Sequence, residues 1–246
     1  YCLINPNAFE VIQYRVLDTI IGSAIALIAN YVILPSWEAD NLKQILLNAL
    51  KMNKKYLLAT QALYKDTSKH KLSYNVARKN AFLAISNLNA AFQRITQDPK
   101  SKQKEFELIY EIVTLNQTMI SAIASIGNFI INHKTTPASE EFNVLIKKIA
   151  NTLQVAFDCL DHTQIKKKVT EATAEDAHEK LFSKYQDLSN LRDEDIKKGN
   201  TELDIEALHG LQEAFLIANH MSWLKSLSEN LKKATKQYEA SVIDED

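Results

Sequence analysis

Arg15 and Asp18 are the ionisable residues of this sequence most suited to chemistry, because they stand one helical turn apart at the mouth of a run without formal charge that lasts until Glu38. At i and i+3 on a helix the two can neutralise each other. Ionisable groups at membrane depth are costly and commonly mark a proton or solute path. Two roles follow for the pair. It is an ordinary ion pair at a membrane edge, or it serves transport, with Asp18 carrying a proton or Arg15 meeting an anionic solute. Gly22, Ala26 and Ala29 share one face of the same helix. The small-xxx-small spacing of Gly22 and Ala26 lets a second helix approach closely, so this face is a helix-packing candidate; packing on the soluble part is the alternative.

The element that must position these residues is a helix long enough to cross a bilayer. Residues 19–37 form an apolar stretch that spans roughly 28 Å as a helix, close to the hydrocarbon thickness of a membrane. Tyr14 and Arg15 lie at one end, Tyr31 and Trp37 at the other, where amphipathic rings favour the headgroup level. A secretion signal fits poorly: the apolar run is too long, no basic start precedes it, and Pro35, Ser36 and Trp37 are not a small-residue cleavage site. The lipid bilayer is therefore an expected partner. Lys43, Lys51, Lys54 and Lys55 follow the run and predict that residues 37–246 face the cytoplasm.

Beyond Trp37 the chain reads as helix throughout. Four Gly and four Pro in 246 residues leave little room for tight turns and hairpins, which points to an all-α protein: one N-terminal transmembrane helix with its lead-in, residues 1–36, then a cytoplasmic bundle of long antiparallel helices, residues 37–246. Helices are expected over 37–64, 73–96 and 101–133, with a polar break between the first two. Ala81, Ile85, Leu88, Phe92 and Ile95 advance by four and three, an apolar seam of coiled-coil type. Phe106, Ile109, Val113, Asn116, Ile120, Ile123, Gly127 and Ile130 repeat the pattern. Asn116 either fixes the register of this seam or is a tolerated boundary polar residue. Pro137, Ser139, Glu140 and Glu141 mark the start of a further helix, to about Thr163. A more polar helix over 172–192 carries a thin stripe of Leu181, Tyr185, Leu188 and Leu191. The last helix buries Leu208, Leu211, Phe215, Ala218, Met221, Leu224, Leu227 and Leu231.

Charge and motif content exclude several classes of function. Twenty-nine basic against 30 acidic residues, interleaved along the chain, leave no footprint for nucleic acid. Cys2 and Cys159 are too few for a disulfide framework and lack zinc spacing. Asp158, Asp161 and His162, and the cluster at residues 175–179, are solvated helix faces rather than metal ligands in this reading. No GxGxxG, P-loop, HExxH or GxSxG occurs, so neither catalytic residues, cofactor, metal nor enzymatic activity is expected.

Two segments resemble a known family. "YRVLDTIIGSAIALIANYVILPSWE" is similar to the last transmembrane helix of the fusaric acid resistance (FUSC) family of inner-membrane proteins, in its YccS/YhfK-like branch, through Arg15, Asp18, Thr19, Gly22, Ala26, Pro35 and Trp37. "ARKNAFLAISNLNAAFQRITQDPK" resembles a helix of that family's C-terminal cytoplasmic domain through Arg78, Ala81, Asn87, Leu88, Arg94 and Pro99. Arg78, Asn87 and Arg94 are the family-motif positions of the soluble part, where capping or bridging of helices is the plainer role. The resemblance covers roughly the first hundred residues. It implies the C-terminal piece of a multi-pass protein in the bacterial inner membrane, an exporter of aromatic carboxylic acids or related toxic compounds, with upstream transmembrane helices and a homo-oligomer as partners. The alternative is a membrane-anchored helical scaffold that binds a cytoplasmic protein and transports nothing.

Overall fold

A computed structural model describes residues 8–33, 37–97, 105–161, 171–198 and 205–243. These residues form helices α1 (Ala8–Ile33), α2 (Trp37–Lys65), α3 (Thr67–Gln97), α4 (Phe106–Asn132), α5 (Glu140–Leu160), α6 (Glu171–Lys197) and α7 (Ile205–Ile243), and no strand occurs among them. The all-α reading holds. The chain divides into two compact units, residues 1–42 and 43–246, so that α2 begins in the first and continues through the second.

In the first unit α1 is apolar around its whole circumference, and the large side chains Val11, Ile12, Val16, Leu17, Ile20, Ile21, Ile25, Leu27 and Ile28 are all exposed. A helix that is apolar all round has no polar face to give to water. Glu10–Ala29 has the length and composition of a membrane span and none of it is buried. Two of its hydroxyls are satisfied on the helix itself: Thr19 Oγ1 donates to the Arg15 carbonyl at 2.8 Å and Ser23 Oγ to the Ile20 carbonyl at 2.9 Å. Such internal pairing is what hydrocarbon surroundings require of polar groups.

In the second unit the expected polar break after residue 64 shrinks to Asp66. Asp66 Oδ1 accepts the Lys69 N–H at 3.0 Å and the Ser68 hydroxyl at 2.8 Å, capping α3. The Thr67 hydroxyl donates back to the Leu63 carbonyl at 3.2 Å, which joins the new helix to the old one. The start of α5 is the one expected. Ser139 Oγ accepts the Phe142 N–H at 3.2 Å, and Glu140 and Glu141 occupy the first turn. α6 continues to Lys197, past the expected end at Arg192.

Packing follows the apolar seams. α3 lies antiparallel on α4: Asn89 Oδ1 accepts from Gln117 Nε2 at 2.5 Å, and nearer the far ends of the two helices Phe92 stacks on Phe106 with centroids 5.3 Å apart. α7 packs against α4, α5 and α6, and α6 also against α5. Two contacts, Thr136 with Glu213 and Thr152 with Glu229, both join residues 77 apart. That constant offset makes the α5 segment parallel to α7, on which it packs directly. Along α2, Leu46, Leu50, Tyr56, Leu57 and Leu63 are fully buried.

Two seams are buried apart from the half-buried Phe92 and Phe106 at their outer ends, and two other expectations fail. Ala81, Ile85, Leu88 and Ile95 on α3, and Ile109 through Ile130 on α4, are buried as expected. Phe215, expected in the buried stripe of α7, is 51% exposed and lies against Tyr185 with centroids 5.2 Å apart, while Glu213 takes the inward position. Leu191 is exposed as well, because the core contacts of α6 gather near Ala177 and Leu181.

Candidate functional site

On α1 the structure places Arg15 and Asp18 one turn apart and exposed, with Gly22 and Ala26 exposed and Ala29 half-exposed. A Cβ built on Gly22 meets nothing within 4 Å. The same open space surrounds the other exposed positions of α1, so it does not distinguish this face. Pro35, Cys2, Pro99 and His162 lie outside the described residues.

On α3 the three family-motif positions stand in different surroundings. Arg78 is half-buried, its guanidinium 5.7 Å from the Phe82 ring centroid, a cation-π arrangement. Asn87 and Arg94 are exposed. Leu72, Val76 and Leu83, which fall on the same helical face as Asn87 and Arg94, are exposed too. Arg78 also lies near Tyr56, whose hydroxyl pairs with that of Tyr74 at 2.9 Å. Burial and the Tyr74 hydrogen bond push the Tyr56 phenol above its usual range. The Tyr74 ring rests where a side chain at Gly127 would project: a Cβ there would overlap the Tyr74 hydroxyl and ring. Gly127 is required by this close approach rather than by backbone conformation.

Of the two roles open to Asn116 in the sequence, the structure removes that of a boundary residue. Asn116 is fully buried, donates through Nδ2 to the Ile112 carbonyl at 2.8 Å, and accepts from Asn53 Nδ2 at 3.0 Å. Two amides paired across α2 and α4 match only in one register.

Glu213 and its partners were not singled out from sequence. Glu213 is 6% exposed. Its carboxylate accepts the Tyr64 hydroxyl at 2.5 Å, the Thr136 hydroxyl at 3.0 Å and the Thr136 N–H at 3.1 Å. Burial and the hydrogen bond to Glu213 raise the Tyr64 phenol above its ordinary range. The cluster ties the end of α2 and the α4–α5 connection to α7. The only hint in the sequence was an acid in a helical stretch two residues before Phe215, and nothing local distinguishes it from a solvated one.

Among the described residues no three His, Cys, Asp or Glu side chains converge as metal ligands. Cys159 is a free, half-buried thiol, raised by burial.

The chain is similar to an inner membrane protein. It is 33% identical over 121 residues to inner membrane protein YccS of Escherichia coli K12, a match covering 49% of this chain and 17% of that protein. It is 25% identical over 144 residues to an uncharacterized protein of Haemophilus influenzae, covering 57% of this chain and 20% of that one. No family model and no solved structure matches. The similarity to YccS bears out the resemblance to the YccS-like branch, and with the exposed apolar α1 it supports a bacterial inner-membrane location and association with the bilayer. The matched regions span a fifth or less of the curated relatives.

Proposed function

We propose that this chain is the C-terminal part of a multi-pass inner-membrane exporter of aromatic carboxylic acids or related toxic compounds, in which α1 is the last crossing and residues 37–246 form a cytoplasmic domain for assembly or regulation. The observation that carries the reading is the pairing of a fully exposed apolar helix with a separately cored bundle in a chain similar to an inner membrane protein. Gly22, Ala26 and Ala29 pack α1 against upstream transmembrane helices or a second copy. Arg15 and Asp18 are the transport candidates, and no residue is assigned a catalytic role.

The test is growth under aromatic acids of cells carrying the full-length protein, wild type or with Arg15 and Asp18 both neutralised. An interfacial ion pair tolerates joint removal, because attraction and desolvation cost vanish together. A variant that assembles normally yet fails to protect assigns transport to the pair; normal protection removes that role. Gly22→Leu is expected to weaken assembly while leaving insertion intact, since the run becomes more apolar. Assembly equal to wild type would turn this face toward lipid.

The membrane-anchored scaffold is favoured by one feature, the exposed face of α3 that carries Leu72, Val76 and Leu83. Under that reading the full-length protein gives cells no more protection against aromatic acids than cells without it have, and protection by wild type would rule it out.

A further inference from the structure

Beside Glu213 the second unit carries a partly open pocket with a volume of about 230 Å³. Its walls are mainly apolar and aromatic, with Tyr64, Phe142, Leu181, Leu188 and Ile217 among them, and Tyr64 and Phe142 meet edge to face with centroids 5.0 Å apart. Gly210 belongs to the lining, and a Cβ there would meet nothing within 4 Å. One charged group is buried in this wall. Glu213 Oε1 accepts from Tyr64 and twice from Thr136, whereas Oε2 receives only a share of the Thr136 N–H at 3.1 Å. The carboxylate therefore retains acceptor capacity for a further donor. The remaining polar groups are accounted for: the Ser139 hydroxyl caps Phe142, and Lys184 is exposed at the rim, where its ammonium stays in water.

We infer that this pocket is a binding site for a small monocationic amine that carries an aromatic or compact apolar group. A buried carboxylate in a low-dielectric wall attracts a cation and repels an anion. The faces of Tyr64 and Phe142 add aromatic surface suited to an ammonium or a ring. An apolar cavity of about 150 Å³ holds benzene, so the larger volume here accommodates a ring with a short aminoalkyl arm. A second cationic group on the ligand would meet Lys184, which selects monoamines over diamines. Aromatic acids are the wrong charge for Glu213, so the site is independent of the export proposed above. Because its walls come from α2, the α4–α5 connection, α5, α6 and α7, an occupant would brace those elements against one another.

The experiment is calorimetric titration of the full chain in nanodiscs with 2-phenylethylamine, and with phenylacetate as the anion of similar size. Saturable binding of the amine and none of the acid is expected. Gly210→Leu, which adds bulk at a lining position, should weaken the amine, and Glu213→Gln, which removes the charge, should weaken it by about tenfold or more, the worth of a charge-assisted hydrogen bond. Lys184→Met should bind at least as tightly as wild type. Thermal melting by circular dichroism accompanies each variant; if Glu213→Gln fails to fold, Gly210→Leu decides the matter. Absence of saturable amine binding to wild type, unchanged binding in folded Gly210→Leu, or phenylacetate binding as tight as the amine would overturn the assignment.

Discussion

Tyr64 and Glu213 show how one buried acid constrains several elements at once. Removal of the phenol by Tyr64→Phe leaves the carboxylate with the Thr136 donors alone. A loss of about 1–3 kcal/mol is expected, the cost of a buried charged acceptor deprived of a partner. Chemical unfolding of the two proteins measures it directly, and stability equal to wild type would show that water replaces the hydroxyl. The same phenol predicts a response to alkali. Tyr56, Tyr64 and Tyr238 all have raised pKa values through burial first of all. A group whose folded pKa lies above its unfolded value stabilises fully below the unfolded pKa and loses that contribution as pH rises beyond it. Stability should therefore fall above about pH 10, where tyrosines of the unfolded chain ionise. Melting temperatures measured across that pH should drop less steeply in Tyr64→Phe than in wild type.

Within pairs of helices, the contacts that set register are few and specific. Gly127 on α4 admits the Tyr74 ring of α3. Alanine is worth about 1 kcal/mol more than glycine in a helix interior, yet Gly127→Ala should destabilise by about 1–3 kcal/mol because the added methyl overlaps the ring. Combined with Tyr74→Leu, which withdraws that ring, the alanine should cost less than it does alone; a double-mutant cycle with no coupling would disprove the close approach. The Asn53 and Asn116 amides invite a similar comparison. Asn116→Leu alone strands the Asn53 amide in the core, where it is expected to cost about 1–3 kcal/mol, whereas leucine at both positions should recover part of the loss. The double variant is also expected to lose uniqueness of packing, seen as broadened amide resonances.

For the whole molecule, the division into residues 1–42 and 43–246 predicts separable behaviour. The second unit encloses its own core, with Leu46, Leu88, Ile123, Phe142, Leu153, Leu224 and Leu231 almost wholly buried. The fragment 37–246 should accordingly be soluble without detergent and mainly helical. Recovery only in detergent, or substantial strand by circular dichroism, would contradict this. If the domain assembles through α1 in the membrane, the fragment should sediment as a monomer or a weakly associating species; a tight oligomer would place the assembly contacts on the helices themselves.

Periodicity and composition alone were enough to read α1, the coiled-coil seams of α3 and α4, and the start of α5 at Ser139, because each depends on neighbours within a few turns of the same helix. The resemblance to an inner-membrane family was legible for the same reason, through short motifs around Arg15 and Arg78. Other features depend on residues far apart in the chain. The outward turn of Phe215 and inward turn of Glu213 require Tyr64, 149 residues earlier, and Thr136. Asn53 finds Asn116 across 63 residues, which decides between register and tolerance for a polar seam position. The polar run over residues 65–71 resembles a loop in sequence, whereas Lys65 still belongs to α2 and Asp66 caps α3 at once, so that residues 67–71 are helical. Hydropathy reports which side chains avoid water; which distant polar groups meet is set by how the helices lie against one another, a property that no single stretch of chain contains.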